Sequence, residues 1–408
     1  MEKNRKFIFA GTVNAAGASV RGQGKGICTL TLNEDRKLTH LSDIECRNGG
    51  IITSFNDQFI YAANEVKDFG GLNGSGGGVS AYSINQDGSL SFLNSSISYG
   101  SRTSYVTVSE SGRYLLATNH GSHSTVTCSY VQNENGEWVL KRGFDDSSIA
   151  VFALNKDGSV GHLTDLKVFE GSGYWCHGGG QSTVHFHCVK ERNHIVYAMS
   201  RGSDEIIILK LDEETGKLEL IRRHQTRFGY APRHAVLHPL KEILYCVNEN
   251  YPSVSVYEIK EDDLNEIQLI ETMDENYYKE RPLPVFTKPH ADENEINSSG
   301  FGDRNAAMCS DIHVSQNGKH LYASTRRFAA SGALAVYDIL ENGQLRLRQI
   351  FPLKGKDPRG FNLIQDDSLI IIGLLDQNLV QIFEINEDGT IGELIDEISL
   401  DSPSSFTE

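Results

Sequence analysis

Residues 380–391 read VQIFEINEDGTI. The alternation of apolar and polar positions, carried by Val, Ile and Phe, predicts a half-buried strand, and Asn-Glu-Asp-Gly predicts a tight turn before an apolar residue opens the next strand. Glycine in such a turn takes positive φ without a Cβ clash. The same phrase returns at six other places: ICTLTLNEDRKL at 27–38, VSAYSINQDGSL at 79–90, IAVFALNKDGSV at 149–160, IIILKLDEETGKL at 206–218, VSVYEIKEDDL at 254–264 and LAVYDILENGQL at 334–345. Recurrence at this scale identifies a repeat architecture, which outranks any reading from length.

A second phrase precedes six of these copies: a short strand, a polar turn, then a strand ending in small residues or Asn. It is clearest in YVTVSESGRYLLATN at 105–119, AVLHPLKEILYCVN at 235–248 and DIHVSQNGKHLYAST at 311–325. Together the two phrases make a four-stranded antiparallel meander. One such unit leaves both faces bare, whereas seven arranged radially cover one another and leave only short edges. The predicted fold is therefore an all-β seven-bladed β-propeller. Its seventh copy is split: KFIFAG at 6–11 reads as a second strand without its inner partner, and SPSSF at 402–406 as an inner strand without its blade. Pairing of these N- and C-terminal strands would close the ring into one domain over residues 1–408.

The composition fits this and excludes several function classes. Glycine is abundant (39) and proline scarce (9), and the formal net charge of −16 opposes a nucleic-acid surface. A total charge does not exclude small anions, which respond to the local field of a cleft. The seven cysteines form no C-x-x-C pair, and the opening MEKNRKFIFAG has no apolar run of signal-peptide length. No stretch approaches the ~20 apolar residues of a membrane span. The expectation is a cytoplasmic protein that binds neither membrane nor nucleic acid. Segments 132–148, 169–181 and 271–307 show no clear periodicity and read as loops, either surface decoration or a rim over the channel.

In a propeller the innermost strands line a central channel. Titratable residues fall on or just before predicted inner strands, or at the end of the following strand: Arg102, His185 with His187, Arg233 with His234, Glu249, Asp311 with His313, Arg326 and Arg359. From different blades they would converge on one axis. Guanidinium groups present fixed donor forks for a carboxylate or phosphate, so the expected ligand is small and anionic. Glu249 among cations would be ionised and could serve as a base, and His185 could carry a proton near neutral pH. His185 and His187, two apart on a strand, would face one side, with Cys176 and His177 just upstream. That cluster also permits a metal, but no acidic third ligand has a telling spacing. The expectation is a site without metal or cofactor, in keeping with the lack of a P-loop or dinucleotide fingerprint.

The stretch APRHAVLHPLKEILYCVNEN at 231–250, with SYVTVSESGRYLLATN, DIHVSQNGKHLYASTR and the strand-DGxL turns, resembles the bacterial lactonase family of seven-bladed propellers. That family includes cycloisomerase-type 6-phosphogluconolactonases and fungal carboxymuconate-lactonizing enzymes. The resemblance implies a catalytic set of His185, Arg233, Glu249 and Arg326, and no metal or organic cofactor; the remaining residues of the constellation, His187, His234, Asp311, His313, Arg359 and Arg102, are expected to contact the substrate. Departures from the family pattern are Arg201 before Gly-x-Asp and His120 after Asn119. The implied activity is hydrolysis of a sugar-acid lactone, 6-phosphogluconolactone first. Ring closure or opening on a carboxymuconate-type substrate uses the same residues. A non-enzymatic binding platform is the third possibility, since fold alone does not establish catalysis.

Overall fold

The computed structural model describes residues 7–14, 22–71, 76–121, 127–143, 146–174, 180–280, 307–327 and 330–408. Seven four-stranded antiparallel sheets form the blades of a propeller. Their innermost strands are Pro403–Thr407 in blade 1, Ile51–Phe55 in blade 2, Thr103–Val108 in blade 3 and Phe186–Arg192 in blade 4. Pro232–Leu237, Ala307–Val314 and Pro358–Ile364 complete the set in blades 5, 6 and 7. Each inner strand lies against that of the next blade, and the seventh returns to the first, so the hub is closed. As the split repeat predicts, the C-terminal strand pairs with Phe7–Thr12, matching Ala10 to Phe406 and Gly11 to Ser405. Among the described residues no helix is long and apolar enough to cross a membrane.

The repeated phrase has a repeated physical purpose. Its strand is buried between two blades: Tyr245, Val247, Val254 and Val256 of blade 5 pack on Ile312, Leu321, Ala335 and Tyr337 of blade 6. Each large apolar side chain buried in this way stabilises the fold by ~1.5–3 kcal/mol. The glycine of the turn then docks on the neighbouring blade. Tyr61 Oη donates to Gly158 O at 2.9 Å, Tyr245 Oη to Gly343 O at 2.8 Å, and Tyr322 Oη to Gly389 O at 2.8 Å. Gly158 has φ +80°, and a Cβ there would stand 2.2 Å from the Phe59 ring of the adjoining blade. Tyrosine and glycine of successive repeats are thus partners, which explains why they recur together.

Two loop expectations need correction. Segment 132–148 is not irregular: Thr127–Gln132 and Trp138–Gly143 form a two-stranded hairpin inserted between the second and third strands of blade 3, and Ser147 already begins the third. The turn NENG at 133–136, between Tyr130-Val131 and Trp138-Val139-Leu140, was the available signal. Segment 271–307 contains a short helix, Glu275–Glu280, and its remainder up to residue 306 lies outside the described residues. Of 169–181, Phe169 ends a strand, and Cys176 and His177 lie outside the described residues.

Candidate active site

Two structural positions, repeated around the ring, supply the channel mouth. The first is the residue following the small-residue end of each second strand. Aligned by register, these residues are Val13, Glu65, His120, Arg201, Glu249, Arg326 and Leu375. The second is a β-bulge in the inner strand. The register shifts at Ser104, His187, Arg233–His234, Ser310–Asp311 and Arg359, and again beside Ser404. An extra residue in one strand of a pair bends it and re-aims a side chain out of the ladder. Six of the seven blades use this device, and His187, Arg233, His234, Asp311 and Arg359 of the predicted constellation sit on it.

At the hub Glu249 gathers guanidinium groups from its own blade and its two neighbours. Arg201 Nε donates to Glu249 Oε2, Arg326 Nη2 donates to Oε1, and Arg233 Nε stands 3.6 Å from Oε2. Arg233 Nη1 also donates to Ser310 O. All four side chains are buried. Burial pushes the Glu249 carboxyl up, but Arg201, Arg326 and Arg233 outweigh it and hold the group below the usual carboxylate range. Burial together with Arg359 and Arg326 pulls Arg233 down to about 9. Arg359, on the inner strand of blade 7, has no hydrogen bond or ion pair from its guanidinium among the described residues, and it lines the central cavity with Glu65, Arg233, His187 and His234. Glu249 therefore neutralises only part of the positive charge gathered here, and Asp357 and Glu65 also act on Arg359.

A second group lies beside it. His234 Nδ1 is 2.9 Å from Asp311 Oδ1, and His313 Nε2 is 3.3 Å from Asp311 Oδ2. Backbone N–H groups of Ile312 and Phe361 donate to the same carboxylate at 3.0 and 3.4 Å. Despite burial, the charge of His313 and the hydrogen bonds of His234 and His313 hold Asp311 well below its ordinary value. On the far side, Lys190 Nζ donates to Tyr105 Oη at 2.7 Å, and the Tyr105 ring meets His234 edge-on at 5.3 Å.

The structure thus brings Arg233, Glu249 and Arg326 into one cluster and His234, Asp311 and His313 into another, with His187 and Arg359 facing the shared cavity. Arg102 sits immediately before the inner strand of blade 3 at φ +56°. His185 stands one step removed. It precedes its strand at φ +48°, and its Nδ1 lies 3.0 Å from His120 O. The expected same-side pairing of His185 and His187 fails because the ladder bulges between Phe186 and Cys188. Both imidazoles pack on His120 in different ways, His185 stacked at 4.5 Å and His187 edge-on at 5.7 Å. Three ligand-type atoms do come within 4.8 Å of one another at Cys28, His40 and Asp43, but on the outer strands of blade 1, where Lys25 already pairs with Asp43 at 3.2 Å.

Sequence reasoning noted Arg201 only as a departure, yet it is a direct partner of Glu249. It also missed Asp204, which is fully buried. Asp204 accepts hydrogen bonds from Gln181 Nε2 at 2.7 Å and from the backbone of Gly229 (2.7 Å), Ala231 (2.9 Å) and Tyr174 (3.3 Å). Gln181 Nε2 reaches Arg201 O at 3.0 Å as well, so this carboxylate fixes the chain just after Arg201 and just before Arg233. Burial pushes Asp204 up to about 6 against the effect of those donors. A folded-state value above the unfolded one means the native protein binds more protons between about pH 4 and 6, so this group makes stability fall as pH rises through that window. Asp204→Asn should be less stable at pH 5 and should lack this part of the slope, as denaturant melts of both proteins at pH 5 and 7.5 will measure.

The closed ring and its hub define the class to which the molecule belongs. The chain is a member of the family described as lactonase, 7-bladed beta-propeller, which matches residues 8–407. Among similar curated proteins are the 6-phosphogluconolactonases of Erwinia tasmaniensis and Pectobacterium carotovorum subsp. carotovorum. They are 24% and 26% identical over 260 residues, a region covering 63% of this chain. The chain spans 66% of the length of these curated relatives. A solved Bacteroides fragilis protein described as a candidate 6-phosphogluconolactonase superposes with a TM-score of 0.75 at 23% identity, over 99% of this chain and 98% of that one. The periplasmic gluconolactonase of Pseudomonas aeruginosa gives 0.75 at 18% identity, over 98% of each chain. At such identities the solved structures speak for the fold alone.

Proposed function

We propose that the protein hydrolyses a sugar-acid lactone bearing an anionic group, with a 6-phosphogluconolactone the preferred substrate. The observation that carries this reading is the gathering of guanidinium groups from four blades at the hub. Arg201, Arg233 and Arg326 share Glu249, while Arg359 faces the cavity without an ion-pair partner among the described residues. Names of relatives in the family support the chemistry.

In this reading Arg359 takes the substrate phosphate or carboxylate. Arg233 and Arg326, oriented by Glu249, supply donors for the oxyanion that develops when water adds to the ring carbonyl. Preorganised donors in a water-poor site need no reorientation during the reaction, which is where their catalytic advantage arises. Glu249 is a weak base while three guanidinium groups hold it ionised, and its work is orientation.

The test is a panel of phosphorylated and unphosphorylated aldonolactones, assayed with spontaneous hydrolysis subtracted. The wild type is expected to accelerate opening of the phosphorylated compound most. A charged hydrogen bond of ~1.5–3 kcal/mol sets the effect of Arg359→Ala at roughly 10- to 150-fold in kcat/KM for the phosphorylated lactone, with little change for its neutral counterpart. Equal losses on both compounds, or no turnover of either by the wild type, contradicts the assignment.

A further inference from the structure

We propose that His234, held by Asp311, is the group that takes the proton from the attacking water and returns it to the leaving ring oxygen. This deepens the lactonase reading above and rests on it. Four observations converge. His234 Nδ1 is 2.9 Å from a carboxylate that also accepts backbone N–H groups from Ile312 and Phe361, so Asp311 is ionised and the Nδ1 proton belongs on the imidazole. That tautomer leaves Nε2 with a lone pair. His234 Nε2 is buried, finds no hydrogen-bond partner among the described residues, and belongs to a side chain lining the central cavity. Beside it the buried His187 Nδ1 is likewise without a partner, its ring centre 5.1 Å from that of His234. Two acceptor-capable nitrogens thus belong to side chains on adjacent blades that line one cavity with Arg233 and Arg359.

The surrounding charges keep this imidazole in its neutral form. Burial and Arg233 pull His234 down to about 4, against Asp311, so the imidazole is neutral over the neutral range. The groups facing it are Arg233 on its own strand, Lys190 and His187 from blade 4, Tyr105 from blade 3, Asp311 with His313 from blade 6, and Arg359 from blade 7. Glu249 cannot do the same work while its oxygens are engaged by guanidinium groups. The step balances without a further reagent. Water oxygen bonds to the lactone carbonyl carbon as one of its protons moves to Nε2. Collapse of the tetrahedral oxyanion breaks the ring C–O bond, and the imidazolium proton passes to the departing alkoxide. The second water proton leaves with the product acid to solvent.

The experiment combines kinetics on a phosphorylated lactone with ring-nitrogen NMR of the intact protein. His234→Gln, His234→Asn and Asp311→Asn should each lower kcat by roughly 10²–10⁴-fold, the usual contribution of a positioned acid–base group, with KM changed less than about threefold. Nitrogen shifts at pH 7 should show the His234 proton on Nδ1. Retention of kcat within threefold in both His234 variants, or losses confined to KM, overturns the proposal. So does a proton found on Nε2, whatever the substrate. If the wild type opens no lactone, the substrate reading fails, and the tautomer measurement still decides whether this imidazole offers a base to the cavity.

Discussion

A chain ended at Leu400 should lose its cooperative fold. The removed residues include the whole inner strand of blade 1, whose ladder pairs Phe9 with Thr407, Ala10 with Phe406 and Gly11 with Ser405. Phe406 is buried with Ile8, Ala10, Ile371 and Ile382, so it joins blade 1 to blade 7. Toward blade 2, Ser405 Oγ accepts from Ile52 N at 3.1 Å. Toward blade 7, a Cβ on Gly360 would come within 2.2 Å of Ser404 O, an approach that only glycine permits. Truncating a buried Phe to Ala alone typically costs about 3–5 kcal/mol. Loss of the strand adds unpaired edge groups on Phe7–Thr12 and exposes two blade faces, which together exceed the ~5–15 kcal/mol that separates most folded domains from unfolding. Phe406→Ala, the milder change, should shift the denaturant midpoint by the side-chain amount without altering the fold. An unchanged midpoint in the truncated chain would contradict closure of the ring by this strand.

The second large effect is expected at the hub. Glu249→Gln removes the carboxylate that binds Arg201 and Arg326 among the described residues, leaving buried guanidinium groups to repel one another. Removing one partner of a buried ion pair typically costs about 3–5 kcal/mol, because the remaining charge stays buried and uncompensated. The pH dependence follows from the direction of the Glu249 shift. Its folded value lies below the unfolded one, so its contribution is complete above the ordinary carboxylate range and disappears as pH falls toward the folded value. Glu249→Gln should therefore differ most from the wild type at neutral pH and approach it in strong acid. An added anion can replace the missing charge, so phosphate should recover more stability in the variant than in the wild type. A variant as stable as the wild type at pH 7, and indifferent to phosphate, would show that the cluster does not depend on its carboxylate.

Blade number, strand order and ring closure were legible because hydrophobic alternation and turn chemistry repeat with the fold itself. The strand-and-turn phrase fixes the third and fourth strands of the blades, and Tyr61, Tyr245 and Tyr322 mark where neighbours dock. The site was legible in part. Arg233, Glu249 and Arg326 could be named because they occupy recurring places, yet Arg201 at the same place in blade 4 was passed over. Aligning Asn64-Glu65, Asn119-His120, Ser200-Arg201, Asn248-Glu249 and Thr325-Arg326 column by column would have exposed it. Two features lay beyond such reading. A bulge changes which side chain faces the axis without changing the apolar pattern, so the relation between His185 and His187 was misjudged. Asp204 binds backbone groups from segments 25 to 30 residues away in sequence, and nothing local in its neighbourhood announces those partners.

The most direct test of the central claim, that guanidinium groups gathered at the hub hold an anionic ligand, is a crystal structure of the protein soaked with the hydroxy-acid product of a phosphorylated lactone. The account predicts the phosphate on Arg359 and the new carboxylate within hydrogen-bond reach of Arg233, in the cavity beside His234. Product bound at the opposite end of the channel or on the outer wall of the blades, with Arg359 untouched, would contradict it.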